Sequence, residues 1–205
     1  MHVAFVANDN SNSLLTCHST NGQNWSNNKK VAHESSKTAP TLSYFSSRPQ
    51  PFALGFIANN SYNSLLTSYS GNGQDWSVDS QVKNPSQSQS SKAAPALAVF
   101  QNKLWIAFVA NDASNQLLIC NSGNGQDWSD NSQVKNPNQS QSSKAAPALA
   151  VFQNKLWIAF VASNNTNQLL ICNSGNGQDW SDNSQVKNPS QSQSSKASPA
   201  LLAHP

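Results

Sequence analysis

One arginine, one glutamate and one methionine are all that 205 residues contain of those types, and charged side chains make up only 10% of the chain. With Arg48 alone, a cluster of guanidinium groups cannot be built. The remaining basic residues are lysines spread along the chain, so the net charge of +3 does not describe a phosphate-tracking surface. Lys29-Lys30 is too small a basic cluster to suggest nucleic acid. No apolar run approaches the roughly 20 residues that cross a membrane, which argues against membrane insertion. Met1 is followed almost at once by a strand-like segment, without the basic and apolar regions of a signal peptide, so a cytoplasmic or non-classically released protein is expected. Cysteine is scarce too. Cys17, Cys120 and Cys172 share one repeat position, a poor arrangement for disulfides, and are read as small, partly buried thiols. The apolar fraction, 37%, would be low enough for disorder if spread evenly. Instead, apolar residues gather in short runs such as PALAVF, KLWIAFVA and QLLIC.

What is present is a repeat. Trp25, Trp76, Trp128 and Trp180 close four copies of one motif, STNGQNW once and SGNGQDW three times, spaced by 51, 52 and 52 residues. Each copy carries four segments. The first begins at Pro40, Pro95, Pro147 and Pro199; the second is HVAFVAN, PFALGFIAN, KLWIAFVAN or KLWIAFVAS; the third is SLLTCHS, SLLTSYS or QLLICNS; the fourth starts at the motif Trp. These runs are short, rich in β-branched and aromatic residues, and bounded by Asn, Asp, Gly and Pro, as in antiparallel meanders. A unit this short cannot bury its own apolar face and must stack on neighbours. The expectation is an all-β protein, a β-propeller with four blades of four antiparallel strands in a single domain over residues 1–205.

The repeat is out of phase with the chain, opening on a second segment and closing on a first one. In a ring, residues 198–204 would pair with residues 2–8, giving blades of approximately 199–205 plus 2–38, 39–91, 92–143 and 144–197. A fragment with arbitrary ends, and two chains making an eight-bladed ring, are the alternatives. A monomer or a homodimer is therefore expected.

The motif S-x-[DN]-G-x-x-W, beginning here at Ser19-Thr20-Asn21-Gly22-Gln23-Asn24-Trp25, resembles the Asp-box (BNR) repeat of sialidase-like β-propellers. The resemblance implies a turn between the third and fourth strands, locked by Asn21, Asn72, Asn124 and Asn176, with Trp25, Trp76, Trp128 and Trp180 packing between blades. Asn stands where Asp is commoner in that family. Sialidases of this fold use three arginines and a Tyr/Glu pair, which one arginine and one glutamate cannot supply. A non-catalytic, lectin-like member is implied.

The residues themselves give little catalytic chemistry. Asp75, Asp127 and Asp179 occupy one repeat position and would see near-identical environments, whereas two-carboxylate hydrolysis needs distinct ones. Glu34 is read as a solvated connector residue. Splicing the ends would bring His2 towards His204, but no third ligand is evident, so neither metal nor cofactor is expected. The chain is expected not to be an enzyme. Residues 76–127 and 128–179 differ at seven positions, four of them, 111–114, in the turn between second and third segments. That turn and the connector share a face opposite the Asp-boxes, the face of the substrate site in the sialidase-like family. Asn8, Asp9, Asn59, Asn60, Asn111, Asp112 and Asn164, with Lys37, Lys92, Lys144 and Lys196, are accordingly the candidate ligand-binding residues, suited to sugar hydroxyls. Trp105 and Trp157 are read as interblade packing rather than stacking platforms. The function expected is multivalent carbohydrate binding through repeated weak sites on glycans or glycoproteins. A protein-interaction scaffold, or a repeat amplified or engineered for folding alone, is the alternative.

Overall fold

The computed structural model of the chain describes residues 1–85, 87–136 and 139–203. Four antiparallel sheets follow one another. Sheet I contains β1 (His2–Val6), β2 (Ser13–His18) and β3 (Lys29–Ser35); sheet II contains β4 (Thr41–Tyr44), β5 (Phe52–Ile57), β6 (Leu65–Ser70) and β7 (Ser80–Gln81). Sheet III contains β8 (Ala96–Phe100), β9 (Lys103–Val109), β10 (Leu117–Ser122) and β11 (Ser132–Gln133), and is followed by the ribbon β12 (Lys135–Asn136) and β13 (Gln139–Ser140). Sheet IV contains β14 (Ala148–Phe152), β15 (Lys155–Val161), β16 (Leu169–Ser174) and β17 (Ser184–Gln185), before a second ribbon, β18 (Lys187–Asn188) and β19 (Gln191–Ser192). No helix occurs among the described residues.

Local chemistry explains the meander. Gln101-Asn102 and Gln153-Asn154 have φ between 48° and 56°, the left-handed pair that a two-residue hairpin between first and second strands requires. Asn12, Asn63, Asn115 and Asn167 end the next turn at φ of 50–53°, where Asn is one of the few side chains tolerated. Leu104–Val109 of β9 is buried on both faces, because sheets pack against it from either side. Three hydrophobic clusters result, and each spans one junction: I/II, II/III and III/IV. The three cysteines are free; Cys120 and Cys172 are buried, and burial pushes the Cys172 thiol up to about 12.

The Ala-Pro or Ser-Pro segments converge on one cavity of about 430 Å³, lined by Ala39–Leu42, Ala94–Leu97, Ala146–Leu149 and Ser198–Leu201. The fourth copy thus lines the same space as the other three. It forms no strand, however, and pairs with none of residues 2–8 among the described residues. This corrects the expected splice, of which residues 204 and 205 lie outside the described residues. Ser198 is drawn to sheet IV instead, its Oγ accepting the Ala146 N–H at 3.1 Å, while Leu201, Leu202 and Ala203 lie beside Phe152 and Trp157. Sheet I consequently has three strands, with its β1 edge unpaired. The fourth strands of sheets II–IV are also shorter than expected, two residues each.

Candidate functional site: the turn and connector face

The two ends of each sheet differ in chemistry. Val109 pairs with Leu117 beside the second-to-third turn, and Leu104 with Ser122 beside the glycine-containing motif, so these features lie at opposite ends.

At the turn end, the candidate acceptors mostly fold the turn itself. Asp9 Oδ1 accepts the Ser11 N–H at 2.9 Å and the Ser11 hydroxyl at 2.6 Å. Asp112 accepts the Ser114 N–H at 2.8 Å, Asn60 the Tyr62 N–H at 3.1 Å, and Asn164 the Thr166 N–H at 3.1 Å. The serine hydroxyl bonds, followed by the backbone ones, hold Asp9 and Asp112 below the usual carboxylate range.

The lysines arrive from the connectors. Lys37 Nζ donates to Asn63 at 2.7 Å, Lys92 to Asn115 at 2.5 Å and to the Asp112 carbonyl, and Lys144 to Asn167 at 2.9 Å. Asn63 and Asn115 pass the link to the next sheet, donating to Asn111 at 3.0 Å and to Ser163 at 3.0 Å. Asn111 also donates to the Tyr62 carbonyl at 3.2 Å. Three of the four lysines are therefore brought to the turns; Lys196 is exposed and has no partner among the described residues. Asn8 and Asn59 are exposed with unbonded side chains.

Between connector and turn lie two polar clefts. One, of about 500 Å³, is lined by Tyr62, Gln81, Ser88, Gln89, Ser90 and Asn111 among others. The other, of about 360 Å³, includes Ser140, Gln141, Ser142, Ser163 and Asn164. Ser88-Gln89-Ser90 and Ser140-Gln141-Ser142 are repeat equivalents, as are Asn111 and Ser163. The connectors are pinned by Asn131, whose amide donates to Gln89 Oε1 at 2.5 Å, and by Asn183, which donates to Gln141 Oε1 at 2.7 Å. Sequence reasoning had not singled out these Gln and Ser residues. Their signal was the Q-S-Q-S-S run, unchanged between copies that vary in the turn.

At the opposite end, each motif asparagine closes a tight turn. Asn21, Asn72, Asn124 and Asn176 each accept two backbone N–H groups through Oδ1, at 2.8–3.0 Å. The following glycines sit at φ of 71–77°. Trp128 and Trp180 are 4% and 5% exposed, and the half-buried Trp76 donates to Thr16 of sheet I at 3.0 Å; Trp25 is 42% exposed.

One feature of the I/II junction departs from expectation. Glu34 is half-buried beside Asp79, not a solvated connector residue; burial first, then the Asp79 charge and the hydrogen bond that the protonated Glu34 carboxyl donates to Asp79, push its carboxyl up to about 7. No group of three or more potential metal ligands occurs among the described residues, and His204 lies outside them.

No protein-family model matches the chain, and no curated protein sequence matches it. Solved structures do. An α-L-arabinanase from Penicillium chrysogenum, complexed with arabinobiose, superposes with a TM-score of 0.65 at 10% identity, covering 92% of this chain and 63% of its own. The exo-β-1,3-galactanase 1,3Gal43A from Clostridium thermocellum gives 0.60 at 14% identity, covering 91% of this chain and 46% of its own. A protein of unknown function from Dyadobacter fermentans gives 0.58 at 13%, covering 84% and 57%. The chain folds as a β-propeller does. It spans less than two thirds of the length of these three structures. Among the neighbours, the arabinanase and galactanase are β-propeller glycoside hydrolases. The expectation that the chain is not an enzyme is corrected by that company: it rested on repeat symmetry and missing arginines, and this architecture also carries glycan hydrolysis.

Proposed function

We propose that this chain is a carbohydrate-binding β-propeller that engages glycans at repeated clefts between connector and turn. The observation that carries the reading is the pair of repeat-equivalent clefts walled by amide and hydroxyl side chains. Gln89 and Asn111 offer both a donor and an acceptor, and Ser88 and Ser90 add hydroxyls. Tyr62, 77% exposed at the rim, supplies an aromatic face for the apolar side of a sugar ring. Of the other candidates, Asn164 lines the second cleft, while Asn8, Asp9, Asn59, Asn60 and Asp112, with Lys37, Lys92, Lys144 and Lys196, would extend the contact along the turn and connector face, each lysine keeping an N–H group to donate. Several weak sites on one rigid body give avidity for a multivalent glycan, provided the spacing matches.

Glycan-array binding, competed by free sugar, tests the reading. Gln89→Ala with Asn111→Ala should weaken binding at least tenfold in titration calorimetry, while the melting transition stays cooperative. Silence across a broad array, or unchanged affinity in the double variant, overturns it.

Glycan hydrolysis is the second reading, favoured by Glu34, whose carboxyl is pushed up to about 7 by burial and by the neighbouring Asp79. Their hydrogen-bonding contact is closer than the roughly 5 Å at which a retaining pair flanks its substrate. The pair therefore resembles a shared-proton dyad, and a separation on binding is required before it can act on a sugar. Release of reducing ends from arabinan or β-1,3-galactan, abolished in Glu34→Gln, would establish this reading.

A further inference from the structure

At each internal junction one sheet lays a side chain over the motif glycine of the next. His2 of sheet I lies over Gly73, Arg48 and Tyr69 of sheet II over Gly125, and Trp105 of sheet III over Gly177. A Cβ on any of these glycines would overlap the covering side chain, so the contacts are close. Tyr69 adds a hydrogen bond to the Gly125 carbonyl at 2.6 Å, and Arg48 stacks 4.2 Å from the Tyr69 ring centre. The motif tryptophans follow the glycines into the same seams.

Both halves of this contact occur a fourth time, unjoined. The donor half is Trp157, half-buried, with Val151 and Phe152 37% and 39% exposed around a cavity of about 350 Å³ that Ile171 and Leu201 also line. The acceptor half is Gly22, whose added Cβ would meet only the Met1 methyl at 3.9 Å, and the exposed Trp25. The polar contacts repeat the pattern. Lys37, Lys92 and Lys144 donate their backbone N–H to Ile57, Val109 and Val161, but Lys196 makes no such bond to Val6.

We propose that the cavity beside Trp157 receives the Gly22–Trp25 turn of a second copy of this chain. The site is already shaped for that motif, since it continues an interface the molecule builds three times. A donor half and an acceptor half on one chain are both satisfied when two copies pair about a twofold axis, leaving no open end. The chain's own turn is the poorer occupant. Within one chain it does not reach the cavity, whose lining includes none of residues 19–25. Sheet I is also tied to sheet II through Trp76 and Thr16. The interface is independent of the sugar reading.

Light scattering across a wide concentration range should give about twice the 22.0 kDa of one chain. Trp157→Asp and Trp25→Asp should each reduce this to a single chain. Mixing the two variants restores a pair, because one of its two junctions keeps both wild-type halves. Should Trp157→Asp fail to fold, Val151→Lys, at a position already 37% exposed, should lower the mass in the same way. A wild-type mass of one chain at all concentrations, a mass unchanged in the variants, or a ladder of larger species would overturn the proposal.

Discussion

Sheets III and IV contain the same ALAVF and KLWIAFV strands, yet those strands meet different surroundings. Phe100 is 2% exposed and its equivalent Phe152 39%; Trp105 is buried at 3% while Trp157 is only half-buried. Identical residues in identical strands differ because sheet III has a neighbour on both sides and sheet IV has one. Burial here belongs to the junction, not to the repeat. The unit sequence specifies two complementary half-interfaces, and how many are joined depends on what stands next to each.

The largest expected effect therefore falls on a joined junction. Trp105→Ala should lower unfolding stability by about 3–5 kcal/mol, as for other buried large aromatics. Trp157→Ala, compared on the Trp25→Asp background to keep the measurement within one chain, should lower it by less than half as much in urea titrations. Equal losses would break the comparison.

A smaller contrast is expected in the turns. Asn124→Ala removes the acceptor of two N–H groups next to the buried Gly125 and should lower stability by ~1–2 kcal/mol. Asn21→Ala removes the same bonds beside the exposed Gly22, where water can replace them, and its melting temperature should change less.

The I/II junction adds a pH dependence. The folded Glu34 carboxyl sits at about 7, above its ordinary value of 4.5, so between those values the folded chain binds the proton that the unfolded chain has lost. Stability should fall as pH rises from about 4.5 to about 7 and level off above, by ~1 kcal/mol once solvent screening at this half-buried site is allowed for. Denaturant midpoints measured across that window should lose this slope in Glu34→Gln.

The smallest difference concerns the lysines. Lys92→Ala, which breaks bonds to Asn115 and Asp112, should lower stability by at most ~0.5 kcal/mol. Lys196→Ala should leave the isolated chain's melting temperature unchanged.

Much of this was legible in the sequence because it is local. The Gln-Asn hairpin pairs, the Asn turn ends and the glycine at each motif announce their φ values in the residue types themselves. The connector lysines and turn asparagines were also read onto one face, where Lys37, Lys92 and Lys144 meet Asn63, Asn115 and Asn167. Less legible was what depends on the neighbouring sheet. Lys37, Lys92 and Lys144, expected as ligand donors, are engaged in bonds to turn residues of the same protein. Arg48, noted in the sequence only as the single arginine, covers Gly125. The terminal segment 198–203 has strand composition without a strand, because composition cannot supply a partner edge. The clefts were missed since Gln and Ser carry no periodicity of their own; only the folding back of the connector makes them walls.

The motif turn has a consequence for ageing. Each copy contains Asn-Gly, the dipeptide in which the glycine nitrogen most readily attacks the asparagine side chain to form a succinimide and lose ammonia. In the folded chain those nitrogens are occupied, donating to Ser19, Ser70, Ser122 and Ser174 at 2.7–2.8 Å. The same bonds that shape the turn hold the nucleophile away from its target. Folded protein should keep its four amides through storage, whereas unfolded chains should lose them first at these positions.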